Sequence, residues 1–256
     1  MRIAVLACAA SLSLGLGSTL PAQAAVTLMP VTFDFTNGNN SNVQDGNARF
    51  YSATSPVWGV FNLRVTAWSL ETNAMGVFVR DSKLMAYSGG LGVISGDDGD
   101  GSQNRHSIDN NGRKDFILLQ FNRQVRLTSA TFNTYSVMGS GRDSDATIRH
   151  GTTALPWNQP FAIDNKPVAQ LNALFTGSWS SPVSTSGNSI RNPNPQLKSG
   201  NLWLIGADFT NSDRRIDGFK LASITVIPEP ATWSMMIGGF ALAGTALRRR
   251  TVRVLA

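Results

Sequence analysis

Hydrophobic and polar residues alternate with a period of two in many short stretches of the chain. Alternation of this kind puts successive side chains on opposite faces of a β-strand. Good helix formers are scarce, and glutamate occurs only at Glu71 and Glu229. The pattern predicts an all-β protein, with apolar positions at Val31, Phe33 and Phe35; Phe61, Leu63, Val65 and Ala67; Leu84 and Ala86; Ala146 and Ile148; and Leu202 and Leu204.

Three stretches depart from simple alternation. The sequence FILLQF, residues 116–121, is almost entirely apolar, which is typical of a strand covered on both faces. In the last strand the apolar phase slips by one residue, which predicts a β-bulge at Ala222 or Ser223. Residues 168–175 are the one stretch with a weak helical pattern.

Turn-rich segments separate the predicted strands. Residues 180–200 have the composition of a linker, but the 27 residues from 201 to 227 are too few for a core of their own. We therefore expect them to return strands to the same sheets. About nine to eleven short strands in residues 25–227 predict one domain, a two-sheet β-sandwich of jelly-roll type.

The first 24 residues have the features of a secretory signal peptide. A short positive start at Met1 and Arg2 precedes an apolar stretch, and Ala22-Gln23-Ala24 is a small-x-small cleavage pattern. The only cysteine, Cys8, lies within this segment. The mature chain is therefore expected to have no disulfide, no thiolate metal site and no cysteine nucleophile.

The C-terminal segment, residues 228–256, contains an uncharged stretch over residues 231–247, followed at once by Arg248, Arg249 and Arg250. As a helix this stretch would be about 25 Å long, close to the hydrocarbon thickness of a bilayer. Positive charge collects on the cytoplasmic side, so the segment predicts a short transmembrane helix with a cytoplasmic C-terminus. The alternative is a buried C-terminal helix, but such a helix would show a polar face.

The C-terminal segment begins with Pro228, Glu229 and Pro230, continues with Trp233 and then has an arginine cluster formed by Arg248, Arg249 and Arg250. This order of residues resembles the PEP-CTERM sorting signal of the PEPxxWA subtype. The resemblance implies that a membrane-embedded exosortase processes the tail. The protein would pass through an inner-membrane intermediate and then reach the cell surface or the extracellular space. Proteins of this kind accompany exopolysaccharide production, so the resemblance also implies exopolysaccharide as a partner and a place in the biofilm matrix.

The basic balance of the chain belongs mostly to these two terminal segments. The chain has 22 Lys and Arg against 16 Asp and Glu, for a net charge of +6. Without Arg2 and the four tail arginines 17 basic residues remain, and without Glu229 15 acidic residues remain. The exported domain is thus nearly neutral, at about +2, which argues against a nucleic-acid partner.

The segment between two predicted strands, residues 87–121, gathers Asp97, Asp98, Asp100 and Asp109 among glycines and asparagines. Ca²⁺ is bound by six to eight oxygens, which Asp side chains and loop carbonyls supply. The spacing does not fit an EF-hand, because Gln103 stands where the turn needs glycine. Two readings stay open: a Ca²⁺ site in the β-sandwich, joined by aspartates from other strands, or a solvated acidic turn.

The same segment resembles a region shared by exosortase-dependent surface proteins. The resemblance is carried by Gly90-Leu91-Gly92-Val93, His106, Asp109-Asn110, Gly112, Asp115 and Phe121. It implies a surface role and no particular reaction.

No catalytic motif is present. Only His106 and His150 occur, and no metalloprotease or serine-hydrolase signature is found. A non-catalytic glycan-binding module is favoured, with Trp157 and Trp179, in turn-rich segments, as candidates to stack on sugar rings. The alternatives are a structural or adhesive matrix protein without a defined ligand and, less favoured, a secreted hydrolase.

Overall fold

A computed structural model describes residues 29–36, 43–44, 46–181, 188–229 and 239. Apart from one short helix, α1 (Val168–Asn172), the regular structure of these residues is β-strand. The strands are β1 (Val31–Asp34), β2 (Val43–Gln44), β3 (Ala48–Ser55), β4 (Gly59–Asn73), β5 (Gly76–Asp81), β6 (Lys83–Tyr87), β7 (Gly90–Ile94), β8 (Ile108–Asp109), β9 (Lys114–Thr134), β10 (Ala146–Gly151), β11 (Gly177–Ser181), β12 (Asn188–Arg191), β13 (Gly200–Ala207) and β14 (Gly218–Pro228).

The long strand β9 connects two groups of antiparallel strands. Its first part lies between β4 and β13, and β13 continues to β10 and then to the edge strand β11. Its second part lies between β14 and β12, and β14 pairs in turn with β1, β7 and β8. The apolar stretch 116–121, predicted as a strand, is the first part of a longer strand that runs without a break to Thr134.

The apolar stretch at residues 116–121 is buried on both faces, as predicted. Ile117, Leu119 and Phe121 point into the main core, which also takes side chains from β1, β3, β7, β13 and β14. Phe116 and Leu118 point the other way, into a smaller core that also contains Leu171 of α1, Ile163 of the segment following β10, and side chains from β4, β5 and β13. Each face of this strand therefore meets its own hydrophobic layer.

The predicted β-bulge in β14 is confirmed. The pairing of β14 with β9 shifts register between Leu221 and Ser223, so one extra residue lies on β14. The shift lets Leu221 and Ile224 both reach the main core although they are three residues apart.

The all-β class predicted from the sequence is confirmed, whereas the two-sheet β-sandwich of jelly-roll type stays a prediction. The predicted linker over residues 180–200 contains a further strand, β12, which pairs with β9. No helix within the described ranges is long and apolar enough to cross a membrane. The predicted signal peptide, residues 1–24, and the predicted transmembrane helix, residues 231–247, lie outside the described residues, apart from residue 239.

Candidate functional site

The glycine-rich central segment folds closely over its neighbours before entering β9. A side chain at Gly92 would place its Cβ 2.0 Å from the carbonyl oxygen of His106. Gly112 has a φ of +87°, and a Cβ there would lie 2.2 Å from a carboxylate oxygen of Asp97. Glycine at these two positions therefore lets the loop pack on β7 and lets Asp97 approach the main chain.

Asp97 and Asp98 are held by the same serine. The hydroxyl of Ser95 lies 2.8 Å from Oδ1 of Asp97 and 2.8 Å from Oδ2 of Asp98. Two arginines lie close: Nε of Arg113 is 3.9 Å from Asp97, and Nε of Arg105 is 3.7 Å from Asp98. The two carboxylates are thus fixed and partly neutralised.

Asp109 and Asp115 complete this group and are more deeply buried. Asp109 is 1% exposed and Asp115 is fully buried. Oδ2 of Asp109 and both carboxylate oxygens of Asp115 have no hydrogen-bond partner in the described part of the chain. Burial, reinforced by Asp98 and Asp97, raises the pKa of Asp109 to about 8, and burial together with Asp109 raises the pKa of Asp115 well above its usual range.

The first acidic cluster, as we call Asp97, Asp98, Asp109 and Asp115, differs from the predicted set in one member. Asp100 is exposed and accepts a hydrogen bond of 2.9 Å from the main-chain nitrogen of Ser102, which lowers its pKa. Asp115, which the prediction did not include, takes its place. A Ca²⁺ site at Asp97, Asp98, Asp100 and Asp109 stays a prediction.

A second acidic cluster, Asp143, Asp145 and Asp213, was missed by the sequence reasoning. One carboxylate oxygen from each of these residues lies within 4.8 Å of the other two, and this trio is the only such group within the described ranges. Asp143 is 2% exposed, and its Oδ2 has no hydrogen-bond partner among the described residues. The sequence Asp-Ser-Asp at residues 143–145 was the available signal, but it gave no hint of a third carboxylate.

The main chain of the second acidic cluster is held from two sides. The amide of Asp145 donates to Oδ1 of Asp217 at 2.8 Å, and the amide of Gly218 donates to the carbonyl oxygen of Asp143 at 2.9 Å. The amide of Asp208 donates to the carbonyl oxygen of Asp145 at 3.1 Å. The two aspartates from one loop are therefore placed by β14 and by the end of β13.

Asn110 connects the surroundings of the two clusters. Its side-chain amide donates to Oδ2 of Asp217 at 2.6 Å, and its Oδ1 accepts from the amide of Asp217 at 2.9 Å. Burial and the nearby Asp145 and Asp143 raise the pKa of Asp217 to about 8. Burial and Asp143 raise the pKa of Asp145 to about 6.

The two predicted glycan-binding tryptophans lie in different surroundings. Trp157 is in a turn, as predicted, and its half-buried ring packs edge-on against Phe50 at 5.8 Å. Trp179 lies in β11, not in a loop, because its segment pairs with β10. Its indole nitrogen donates to the carbonyl oxygen of Pro193 at 2.8 Å, and one side of the ring contacts His150 and Trp203.

A groove with a volume of about 310 Å³ lies beside Trp179. Its lining combines one aromatic ring with hydroxyl, amide and guanidinium groups, from Trp179, Ser180, Ser181, Arg191, Asn192 and Pro195.

Nδ1 of each histidine bonds to a group other than a carboxylate. Nδ1 of His106 lies 2.6 Å from the carbonyl oxygen of Gly101, and its ring is tilted against Tyr87. Nδ1 of His150 lies 2.9 Å from the hydroxyl of Thr176.

Only the start of the predicted sorting segment is described. Pro228 is the last residue of β14 and is paired with Val125 of β9. The amide of Glu229 donates to the carbonyl oxygen of Gln124 at 3.3 Å. Pro230, Trp233, Arg248, Arg249 and Arg250 lie outside the described residues. The sorting segment therefore follows the last strand without a spacer.

Comparison with protein families identifies a PEP-CTERM protein-sorting motif at residues 226–250. Comparisons with curated proteins and with solved structures gave no match. The matched residues include the Pro-Glu-Pro, the tryptophan and the arginines on which the sequence resemblance was based. This chain therefore carries a PEP-CTERM sorting signal, which implies export through a membrane-anchored intermediate, processing by an exosortase, and delivery to the surface.

Proposed function

We propose that the exported domain associates with exopolysaccharide without catalysing a reaction, and that the groove beside Trp179 is its contact surface. The observation that carries the proposal is the composition of this groove. An aromatic face packs on the apolar face of a sugar ring, while neighbouring polar groups bond its hydroxyls. Trp179 offers the aromatic face, and Ser180 and Asn192 offer the polar groups.

Trp179 is held firmly for such a contact. Its ring is half-buried, and its N–H is bonded to Pro193. The ring also packs edge-on against Trp203, with centroids 6.2 Å apart. A side chain fixed before binding loses little conformational entropy when a ligand arrives. Trp157 is the weaker candidate, since its ring packs against Phe50 and it is not among the residues that line this groove.

Two observations favour a binding role over hydrolysis. A glycosidase places two carboxyl groups on either side of the bond that it cleaves. The described residues that line the groove include no aspartate or glutamate. The histidines are bonded to a carbonyl oxygen and a threonine hydroxyl instead of a carboxylate.

The rival proposal is a structural or adhesive matrix protein with no defined ligand. It is supported by the same packing of Trp179, because an indole that joins His150 and Trp203 already contributes to stability. The two proposals differ in what happens when the groove is filled without disturbing the tryptophan.

The test is retention of the protein on purified exopolysaccharide. Ser180 is exposed, lies in β11 and lines the groove, so Ser180→Leu fills it without removing a core contact. Ser178→Leu is a matched control, because Ser178 is an exposed serine two residues earlier in the same strand and outside the groove lining. We expect Ser180→Leu to lose retention, Ser178→Leu to keep it, and both melting temperatures to stay near that of the wild type.

Two results would count against the proposal. If the wild-type protein is not retained, the structural-matrix role takes its place. If Ser180→Leu is retained as well as Ser178→Leu, the contact surface lies elsewhere.

A further inference from the structure

We propose that Asp143, Asp145 and Asp213, the second acidic cluster, form a Ca²⁺ site. The site is separate from the predicted one in the central segment and from the groove beside Trp179. It is built by two loops, one preceding β10 and one between β13 and β14.

The spacing of the three carboxylates suits one ion. Ca²⁺ binds oxygens at about 2.3–2.6 Å, so ligands on opposite sides of the ion lie roughly 4.6–5.2 Å apart. One oxygen from each of the three residues lies within 4.8 Å of the others. A single ion can therefore contact all three carboxylates with little movement of the chain.

The cluster also contains buried oxygens that nothing in the described part of the chain satisfies. Asp143 is 2% exposed; its Oδ1 accepts from the amide of Ser144 at 2.8 Å, but its Oδ2 has no partner. Oδ1 of Asp145 is likewise buried without a partner. An unpartnered buried carboxylate oxygen is costly, and a bound cation removes that cost.

No cationic side chain in the described part of the chain lies within ion-pair distance of the cluster. The ion pairs formed within the described ranges involve none of these three carboxylates. Arg215 and Arg191 act on Asp143 and Asp145 only from beyond that distance. The guanidinium of Arg191 donates instead to the carbonyl oxygen and hydroxyl of Ser144 and lies over the ring of Phe132.

The donors favour a hard cation. All three side chains offer carboxylate oxygen, the preferred ligand of Ca²⁺, and neither histidine belongs to the cluster. Asn211, two residues before Asp213 in the same loop, has a buried side-chain oxygen without a partner. Sites of extracellular modules bind Ca²⁺ with Kd values of about 0.1–1 mM, which is the range expected for a site open on the side of the exposed Asp213.

The experiment is a titration of the full chain with CaCl₂, followed by calorimetry and by thermal melting against an EDTA reference. At a Ca²⁺ concentration about 100-fold above Kd, we expect the melting temperature to rise by about 5–10 °C. Asp213→Asn removes one ligand charge from an exposed position and should weaken binding at least about tenfold. Asp145→Asn should do the same.

Asp164→Asn is the matched control. Asp164 and Asp213 are both exposed, and each accepts a hydrogen bond of 3.0 Å from a main-chain nitrogen, that of Asp81 and that of Arg215. Asp164 belongs to neither acidic cluster, so we expect Asp164→Asn to bind Ca²⁺ as the wild type does. The proposal is overturned if the wild type shows no shift in about 10 mM CaCl₂, or if Asp213→Asn binds as tightly as Asp164→Asn.

Discussion

The two acidic clusters differ in how the chain brings their members together. The first acidic cluster comes from one segment, residues 97–115, whose aspartates are close in sequence. The second acidic cluster joins residues 143 and 145 to residue 213 across β10 and β13. Yet the second cluster is the one in which three carboxylate oxygens converge within 4.8 Å.

Neighbouring cations explain part of this contrast. In the first cluster Arg113 and Arg105 lie beside Asp97 and Asp98, so two of the four carboxylates have a counter-charge. In the second cluster no ion pair within the described ranges involves a carboxylate, and Arg191 bonds to Ser144 instead. A dense run of aspartates in the sequence therefore does not show where carboxylates converge, because convergence depends on which main-chain groups hold the loops.

The largest effect is expected from Asp217→Ala, which removes the side chain that supports the second cluster. Asp217 is fully buried and accepts from the amide of Asp145 and the side chain of Asn110. The amide of Asp145 would lose its partner, and the side-chain amide of Asn110 would keep only its 3.4 Å bond to the carbonyl oxygen of Asp208. We expect a cost of about 3–5 kcal/mol in the free energy of unfolding. Urea unfolding in EDTA measures this loss in the free energy of unfolding, and the variant Asp100→Ala, at an exposed position, is the control. A loss no larger than that of the control would show that Asp217 does not organise the cluster.

The second largest effect is a dependence of stability on pH that comes from the buried carboxyl groups of the first cluster and from Asp217, whose pKa is also raised to about 8. The pKa of Asp109 is raised to about 8 by burial and by Asp98 and Asp97, with Arg105 opposing. Burial and Asp109 raise the pKa of Asp115 as well. The folded protein thus holds more protons than the unfolded chain between about pH 4 and pH 8, so stability falls as pH rises through this window. We expect a higher melting temperature at pH 5 than at pH 8 in EDTA.

Each kcal/mol of that difference moves the melting temperature of a domain of this size by about 2–4 °C. A melting temperature that is equal or higher at pH 8 would contradict the assignment of buried, protonated carboxyl groups to the first cluster.

A smaller effect is expected from Asp115→Asn, which removes the charge of the most deeply buried member. Both oxygens of Asp115 lack hydrogen-bond partners in the described part of the chain, so its ionisation is unfavourable. At pH 8 in EDTA the variant should be more stable than the wild type by about 1–3 kcal/mol. At pH 5 the gain should vanish, because the carboxyl group is then already protonated. Destabilisation at pH 8 would contradict the assignment of an unfavourably buried charge to Asp115.

The smallest effect is expected from Asp213→Asn in the absence of Ca²⁺. Asp213 is exposed, and asparagine keeps the oxygen that accepts from the amide of Arg215. Stability in EDTA should change by no more than about 0.5 kcal/mol. A larger loss would mean that any change in Ca²⁺ affinity reports damage to the loop, so this measurement is also the control for the titration.

Much of the fold could be predicted because its signals are local. The buried strand at residues 116–121, the bulge near Ser223 and the short helix within residues 168–175 all follow from spacing of apolar residues over a few positions. Trp179 was placed in a loop because glycine and serines surround it, although pairing with β10 makes that segment a strand. Edge strands of this kind depend on a partner that the local pattern does not show.

The sequence by itself determined the β-strand content and the sorting signal of this protein. Alternation of apolar residues needs no long-range information, and the sorting motif at residues 226–250 is a linear signal read by another protein. Only the tertiary structure decided which aspartates meet. Asp115 joins the first cluster because β9 begins beneath the central loop. Asp213 reaches Asp143 and Asp145 because two hydrogen bonds bring their loops together. The amide of Asp145 donates to Asp217, and the amide of Gly218 donates to Asp143. Those contacts form between residues far apart in the chain, and no spacing along the sequence specifies them.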